Sequence, residues 1–154
     1  MEDDPILLVE DNPDHAVLVQ ALLDYRSLAS DVFVTQTVAE AKSYLLGEWP
    51  FDDPLKSPLP RLIVLDHWLE DGTGLDLLDW LRGQAKLGTI PVIVFTSCSD
   101  PEVKEQALAM GASGFFHKPE GFEELGDAIE EIIRPGGVSR DDEDGDGSGP
   151  AMAG

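Results

Sequence analysis

The chain of 154 residues has one cysteine, Cys98, so no disulfide can close within it and a reducing, cytoplasmic setting is expected. It is poor in basic residues. Ten lysines and arginines stand against 31 acids, a formal net charge of −21. Such a chain lacks the cationic face that grips nucleic acid, and an anionic membrane surface would repel it. No apolar run approaches the roughly 18 residues that a membrane-spanning helix needs. The opening residues, Met1-Glu2-Asp3-Asp4-Pro5, lack the basic start of a secretion signal. Nucleic acid and membrane are therefore not expected partners. A hydrophobic content of 42% remains, enough for one core.

The apolar residues come in short runs that stop abruptly. Ile6-Leu7-Leu8-Val9 runs into Glu10-Asp11, Leu62-Ile63-Val64-Leu65 into Asp66, and Val92-Ile93-Val94-Phe95 into Thr96. Runs apolar at every position read as strands buried on both faces. The pattern predicts strands at 6–10, 31–35, 61–66, 91–96 and 114–117. Helices are predicted between and after them: from Asn12-Pro13-Asp14 to Tyr25, from a Thr37 cap through Val38 to Leu46, and after Gly72-Thr73-Gly74. A fourth starts at a Ser99 or Asp100 cap, and a fifth spans Phe122 to Ile133. Residues 47–60, with four prolines, read as a long loop. Five βα units in series give an α/β fold, a doubly wound five-stranded parallel sheet with five helices. From Pro135 the chain is rich in Gly and Asp and predicts a disordered acidic tail, so the domain is expected over 1–134 and the tail over 135–154.

Function in such sheets sits beyond the carboxyl ends of the strands. Glu10, Asp11, Asp66, Thr96 and Lys118 all fall there. Singly, each has a plainer reading: an Asp or Thr after a strand is commonly a cap, and Lys-Pro a surface turn. Together they predict a crevice of acids that repel one another without a cation. A strand-end carboxylate beside a metal ion can attack phosphorus. Mg²⁺ takes one or two carboxylates plus phosphate and water. Asp11 and Asp66 would supply carboxylates and Glu10 would hold a metal-bound water. Lys118 would face the phosphate, and the Thr96 hydroxyl would donate to one of its oxygens.

These motifs make the chain similar to the receiver domains of bacterial two-component response regulators, of CheY-like fold, over residues 5 to about 134. They are Val9-Glu10-Asp11-Asn12, Leu65-Asp66, Phe95-Thr96-Ser97 and Lys118-Pro119, with 30 residues from Asp66 to Thr96 and 22 from Thr96 to Lys118. The resemblance implies that Asp66 is a phosphoacceptor loaded by a sensor histidine kinase and that Mg²⁺ or Mn²⁺ is required. It implies that the backbone carbonyl of Trp68 joins the metal ligands, and that Thr96 and Phe115 form a switch. It also implies that Trp68 and Cys98 occupy positions tuning dephosphorylation. Such a protein is no enzyme with a separate substrate. It catalyses its own phosphotransfer and dephosphorylation and signals to a downstream protein, with a homodimer expected.

Several features depart from the common pattern. Asp11 and Asp66 are 55 residues apart, longer than usual, and the 47–60 segment accounts for the excess. That loop is similar to small regulators paired with bacterial phytochrome kinases, which makes a bacteriophytochrome the candidate kinase. Lys118-Pro119 is followed by Glu120-Gly121 where many relatives have an aromatic, and Phe122 is expected to take over its packing. Trp49 and Phe51 in the loop are expected to pack on their own domain, a contact surface being the alternative. An aspartate-nucleophile phosphatase would want a second Asp at position 68, where Trp68 stands. A flavodoxin-like nucleotide binder would want a Gly- or Ser-rich loop where Glu10-Asp11-Asn12-Pro13-Asp14 stands. A degenerate receiver acting only as an interaction module would not need all five site residues.

Overall fold

The computed structural model describes residues 5–28 and 31–134. The 135–154 tail, and the disorder expected of it, lie outside the described residues. Five strands, β1 (Ile6–Val9), β2 (Val32–Thr35), β3 (Leu62–Leu65), β4 (Val92–Thr96) and β5 (Gly114–His117), form one parallel sheet in the order β2-β1-β3-β4-β5. Helices α1 (Pro13–Tyr25), α2 (Val38–Leu46), α3 (Gly74–Arg82), α4 (Pro101–Ala109) and α5 (Phe122–Ile133) cover its two faces. The expected α/β fold is thus observed, with β1 and β3 ending a residue short of the predicted limits and β2, β3 and β4 starting a residue late. Glu10 and Asp66 follow directly, their N–H groups still donating to the neighbouring strand, at the Thr35 (2.9 Å) and Val9 (3.0 Å) carbonyls.

Strand alternation divides the core. Leu7, Val9, Ile63, Leu65, Val92 and Val94 face α2, α3 and Ala107 of α4. Ile6, Leu8, Leu62, Val64, Ile93 and Phe95 face α1 and α5. Adjacent residues of one strand thus serve opposite layers, which is why the runs are apolar without interruption.

The helix starts follow local chemistry. Asn12 accepts from the backbone N–H of Asp14 (2.9 Å) and His15 (3.3 Å) ahead of Pro13. Thr73 and Asp76 form a reciprocal capping box on α3. Asp100, not Ser99, caps α4. Gly47, at φ 68°, ends α2 in the left-handed region.

The 47–60 segment has no helix or strand, as expected. Tyr44 donates from its hydroxyl to the Pro58 carbonyl (2.7 Å), and Phe51 packs on the Tyr44 ring at 5.1 Å. The expectation of own-domain packing therefore holds for Phe51. It fails for Trp49, which is 81% exposed, because the chain turns at Glu48–Phe51 and carries the indole outward.

Two features went unpredicted. After β3 the chain forms a small antiparallel ribbon, Trp68–Leu69 against Gly72–Thr73. Asp71 at its tip accepts from the N–H of Val38 (2.7 Å) and Ala39 (3.0 Å), pinning the ribbon to the start of α2. By the amino ends of β4 and β5, Arg82 donates to four backbone carbonyls: Met110 (3.1 Å), Gly88 (2.9 Å), Ile90 (3.1 Å) and Gly111 (3.0 Å).

Candidate functional site

Register brings the acids together. Val9 pairs with Leu65, and the Asp66 N–H donates to the Val9 carbonyl (3.0 Å), so Glu10 and Asp66 leave neighbouring strands side by side. Thr96 pairs with His117, and the Lys118 N–H donates to the Thr96 carbonyl (2.8 Å). The lysine thus enters the same crevice from the edge strand. One carboxylate oxygen from each of Glu10, Asp11 and Asp66 lies within 4.8 Å of the others. Glu10 and Asp66 are buried, while Asp11 is exposed at the rim.

Buried carboxylates at this spacing are unfavourable unless neutralised. Lys118 does part of the work. Its Nζ donates to Glu10 Oε1 (2.6 Å), His15 Nδ1 (2.9 Å) and Asp66 Oδ2 (3.3 Å), with the Phe95 ring centroid 5.7 Å away. Burial still pushes the Glu10 carboxyl up to about 7, against the pull of its Lys118 bond, and the Asp66 charge adds to the rise. Three carboxylates against one ammonium leave an excess of negative charge. The donors are hard oxygens, so the trio fits a divalent ion of the Mg²⁺ or Mn²⁺ type.

The Trp68 peptide lies against the acceptor, its N–H donating to Asp66 Oδ1 (3.3 Å), while the indole is 53% exposed beside the crevice. Gly74 is required by close approach: a Cβ there would stand 2.4 Å from the Asp66 carbonyl oxygen. Thr96 is fully buried, and its hydroxyl accepts from the Cys98 N–H (3.2 Å). Cys98 is buried next to it. Phe115 is half-buried and lines a hollow of about 400 Å³ with Cys98, Asp100, Lys104 and His117. Phe122 packs on Phe95 with centroids 5.9 Å apart, closing the underside of Lys118.

Two histidines escaped the sequence reading. His15 reaches the lysine because it lies in the first turn of a helix that begins at the end of β1. The signal was available in its position three residues past the Asn12 cap. His67, directly after Asp66, is buried edge-on to Trp68 (centroids 4.6 Å), and its Nδ1 has no partner among the described residues. Burial lowers its pKa, which favours the neutral ring.

A doubly wound sheet with an acid trio, a hydroxyl and a lysine at its carboxyl edge defines a receiver. Residues 6–130 match the family of the response regulator receiver domain. The chain belongs to that family and is the receiver domain of a response regulator in two-component signalling. Among solved structures it is similar to the bacteriophytochrome response regulator RtBRR, with 30% identity, TM-score 0.73, and 84% of this chain and 77% of that one covered. It is also similar to the bacteriophytochrome response regulator AtBRR, with 31% identity, TM-score 0.71, and coverage of 84% and 91%. The probable methanogenesis regulatory protein FilR2 of Methanothrix harundinacea is 29% identical over 132 residues, covering 84% of this chain and 83% of that protein. The chain spans only 35% of the phosphate regulon regulator PhoB of Klebsiella pneumoniae, to which it is 34% identical over 80 residues. Among the described residues no helix is long and apolar enough to cross a membrane.

Proposed function

We propose that this receiver is a reversible phosphoacceptor. Asp66 takes a phosphoryl group from the phosphohistidine of a sensor histidine kinase, with Mg²⁺, or Mn²⁺, as cofactor. The observation that carries this reading is the convergence of Glu10, Asp11 and Asp66 on one point with Lys118 bonded into the cluster. Asp11 and Asp66 would hold the ion directly, Glu10 through a water, and Trp68 through its backbone carbonyl. The bound ion supplies positive charge against the phosphoryl oxygens. A carboxylate oxygen of Asp66 attacks phosphorus, the P–N bond of the donor histidine breaks, and an acyl phosphate remains on Asp66. Lys118 turns a donor to the new phosphate and balances its charge.

Thr96 then shifts toward the phosphate and donates to it, and Phe115 follows into the space vacated. The surface of α4, β5 and α5 changes with them, as a shift between two existing arrangements. Output is contact with a downstream protein, and association of two copies through that surface is part of the proposal. So is a cytoplasmic location, and so is the reading of the chain as no enzyme beyond its own phosphotransfer and dephosphorylation. The likeness to RtBRR and AtBRR, each a bacteriophytochrome response regulator, supports a bacteriophytochrome as the kinase.

Labelling with radioactive acetyl phosphate tests the central claim. Wild type should take up label in Mg²⁺ and none when excess EDTA is present from the start, and Asp66→Asn should take up none in either. Label persisting in Asp66→Asn overturns the assignment. Phosphotransfer from purified bacteriophytochrome kinases, compared with unrelated histidine kinases, tests the pathway.

A further inference from the structure

The Lys118 ammonium has three hydrogens, and each has an acceptor: Glu10 Oε1, Asp66 Oδ2 and His15 Nδ1. Two of these acceptors are buried carboxylates. The third is an imidazole on α1 that is 41% exposed and belongs to no part of the acid trio. Because Lys118 can only donate, the ring proton of His15 sits on Nε2, and Nδ1 presents its lone pair to the amine. Glu10 Oε2 stands 3.9 Å from the same Nδ1, too far for a hydrogen bond. The bond from His15 to the site therefore runs through the lysine.

This arrangement opposes a cation. The oxygens that Lys118 occupies on Glu10 and Asp66 belong to the carboxylates that an ion would use. An ion entering the trio must compete with the ammonium for them, and every contact that holds the ammonium in place adds to that competition. Among the hydrogen-bond acceptors of Lys118, His15 is the one outside the carboxylates that an ion would use.

We infer that His15 is a positioning residue for Lys118, holding the amine over the acidic crevice and thereby setting how tightly the crevice takes a divalent cation. The inference rests on the reading of Glu10, Asp11 and Asp66 as a cation site. It makes metal affinity, and through it readiness for phosphoryl uptake, adjustable from the exposed face of α1. No carboxylate need change.

Isothermal titration with Mg²⁺ on the full chain tests it, with no phosphate donor present. His15→Leu removes the acceptor while keeping a good helix former. It should bind Mg²⁺ roughly three- to tenfold more tightly than wild type, the range expected for one hydrogen bond lost from the competing state. His15→Gln, which offers a carbonyl acceptor at similar reach, should stay within about threefold of wild type. In a Lys118→Met background the His15→Leu change should have no effect, since its target is gone. An unchanged or weaker affinity in His15→Leu overturns the inference and leaves the cation site standing. So does a gain that survives in Lys118→Met, or a Gln variant that behaves as Leu. Wild type that binds no Mg²⁺ overturns both.

Discussion

At the carboxyl-end edge of the sheet Lys118 donates to two carboxylates and an imidazole. At its amino-end edge, by the starts of β4 and β5, Arg82 donates to four backbone carbonyls. Both cations close a gap between elements, but on different terms. The arginine fork is planar and its partners are neutral, fixed main-chain atoms, so the contact joins the end of α3 to the turn before β4 and the end of α4. The lysine is a point charge on a flexible stem, and its partners include groups that repel each other. One edge is built to stay put and the other to exchange partners. Chemistry and rigidity are separated along the length of the same strands.

Exchanging the roles of the edges is the sharpest way to break this comparison. Asp66→Asn should abolish all phosphoryl uptake, yet leave the urea midpoint unchanged or raised, because it deletes one of the crowded charges. Arg82→Ala should do the reverse. It should cost about 2–4 kcal/mol in urea unfolding, through four carbonyls left without their donor and a lost side-chain packing surface, while Mg²⁺ affinity stays within twofold of wild type (a roughly 0.4 kcal/mol tolerance). If Asp66→Asn proves as destabilising as Arg82→Ala, the division of labour is wrong.

A pH series sharpens the contrast. Glu10 is raised from 4.5 to about 7 in the fold, so the folded protein holds an extra proton between those values. Its contribution to stability is therefore full below about 4.5 and is lost as pH rises through about 7. Metal binding runs the other way, since it favours the ionised carboxylate. Mg²⁺ affinity should climb between about pH 6 and 8, by up to roughly tenfold per unit below the Glu10 value, and Glu10→Gln should flatten the profile. The Arg82 edge titrates nowhere in that range, and the loss in Arg82→Ala should be the same at both ends.

Smaller effects are expected at the ribbon. If the Trp68 indole shields the acyl phosphate, Trp68→Asn should shorten its half-life several-fold, on the order of 1 kcal/mol in barrier. An unchanged or longer half-life sinks the shielding idea. Asp71→Ala should lower stability by about 1 kcal/mol, the usual worth of a cap, read as a shift in urea midpoint.

The edge that carries chemistry was legible in the sequence; the rigid edge was not. Glu10, Asp66 and Thr96 each close a run of apolar residues, so a change from apolar to polar side chains marks each strand end. Register then does the rest, because parallel neighbours deliver the residues that follow them to one place. Lys118 was harder to see than the acids, since the strand before it, Gly114-Phe115-Phe116-His117, is short and only half-buried, and it joined the group only once that stretch was read as a fifth strand. Arg82 gave no signal: its partners are carbonyls, which every residue carries. The ribbon was invisible for a related reason, as arms of two residues show no periodicity. Asp71 meets Val38 across 33 positions. His15 was passed over because a histidine in a helix's first turn has many ordinary explanations. Trp49 and Phe51 look alike in sequence and part company only through the turn between them.

The ribbon after β3 has one more implication. Its base is closed by the Gly74 N–H on the His67 carbonyl, its inner side is filled by buried Leu69, and its tip is held by Asp71. Trp68 and Glu70 are the exposed side chains between these anchors. A saturation library over 67–74 should therefore split into two classes. Positions 67, 69 and 74 should tolerate little, and positions 68 and 70 should accept almost anything and still fold. A residue beside the proposed phosphoryl site would then be among the freest to vary, and signal lifetime could drift over generations without putting the fold at risk.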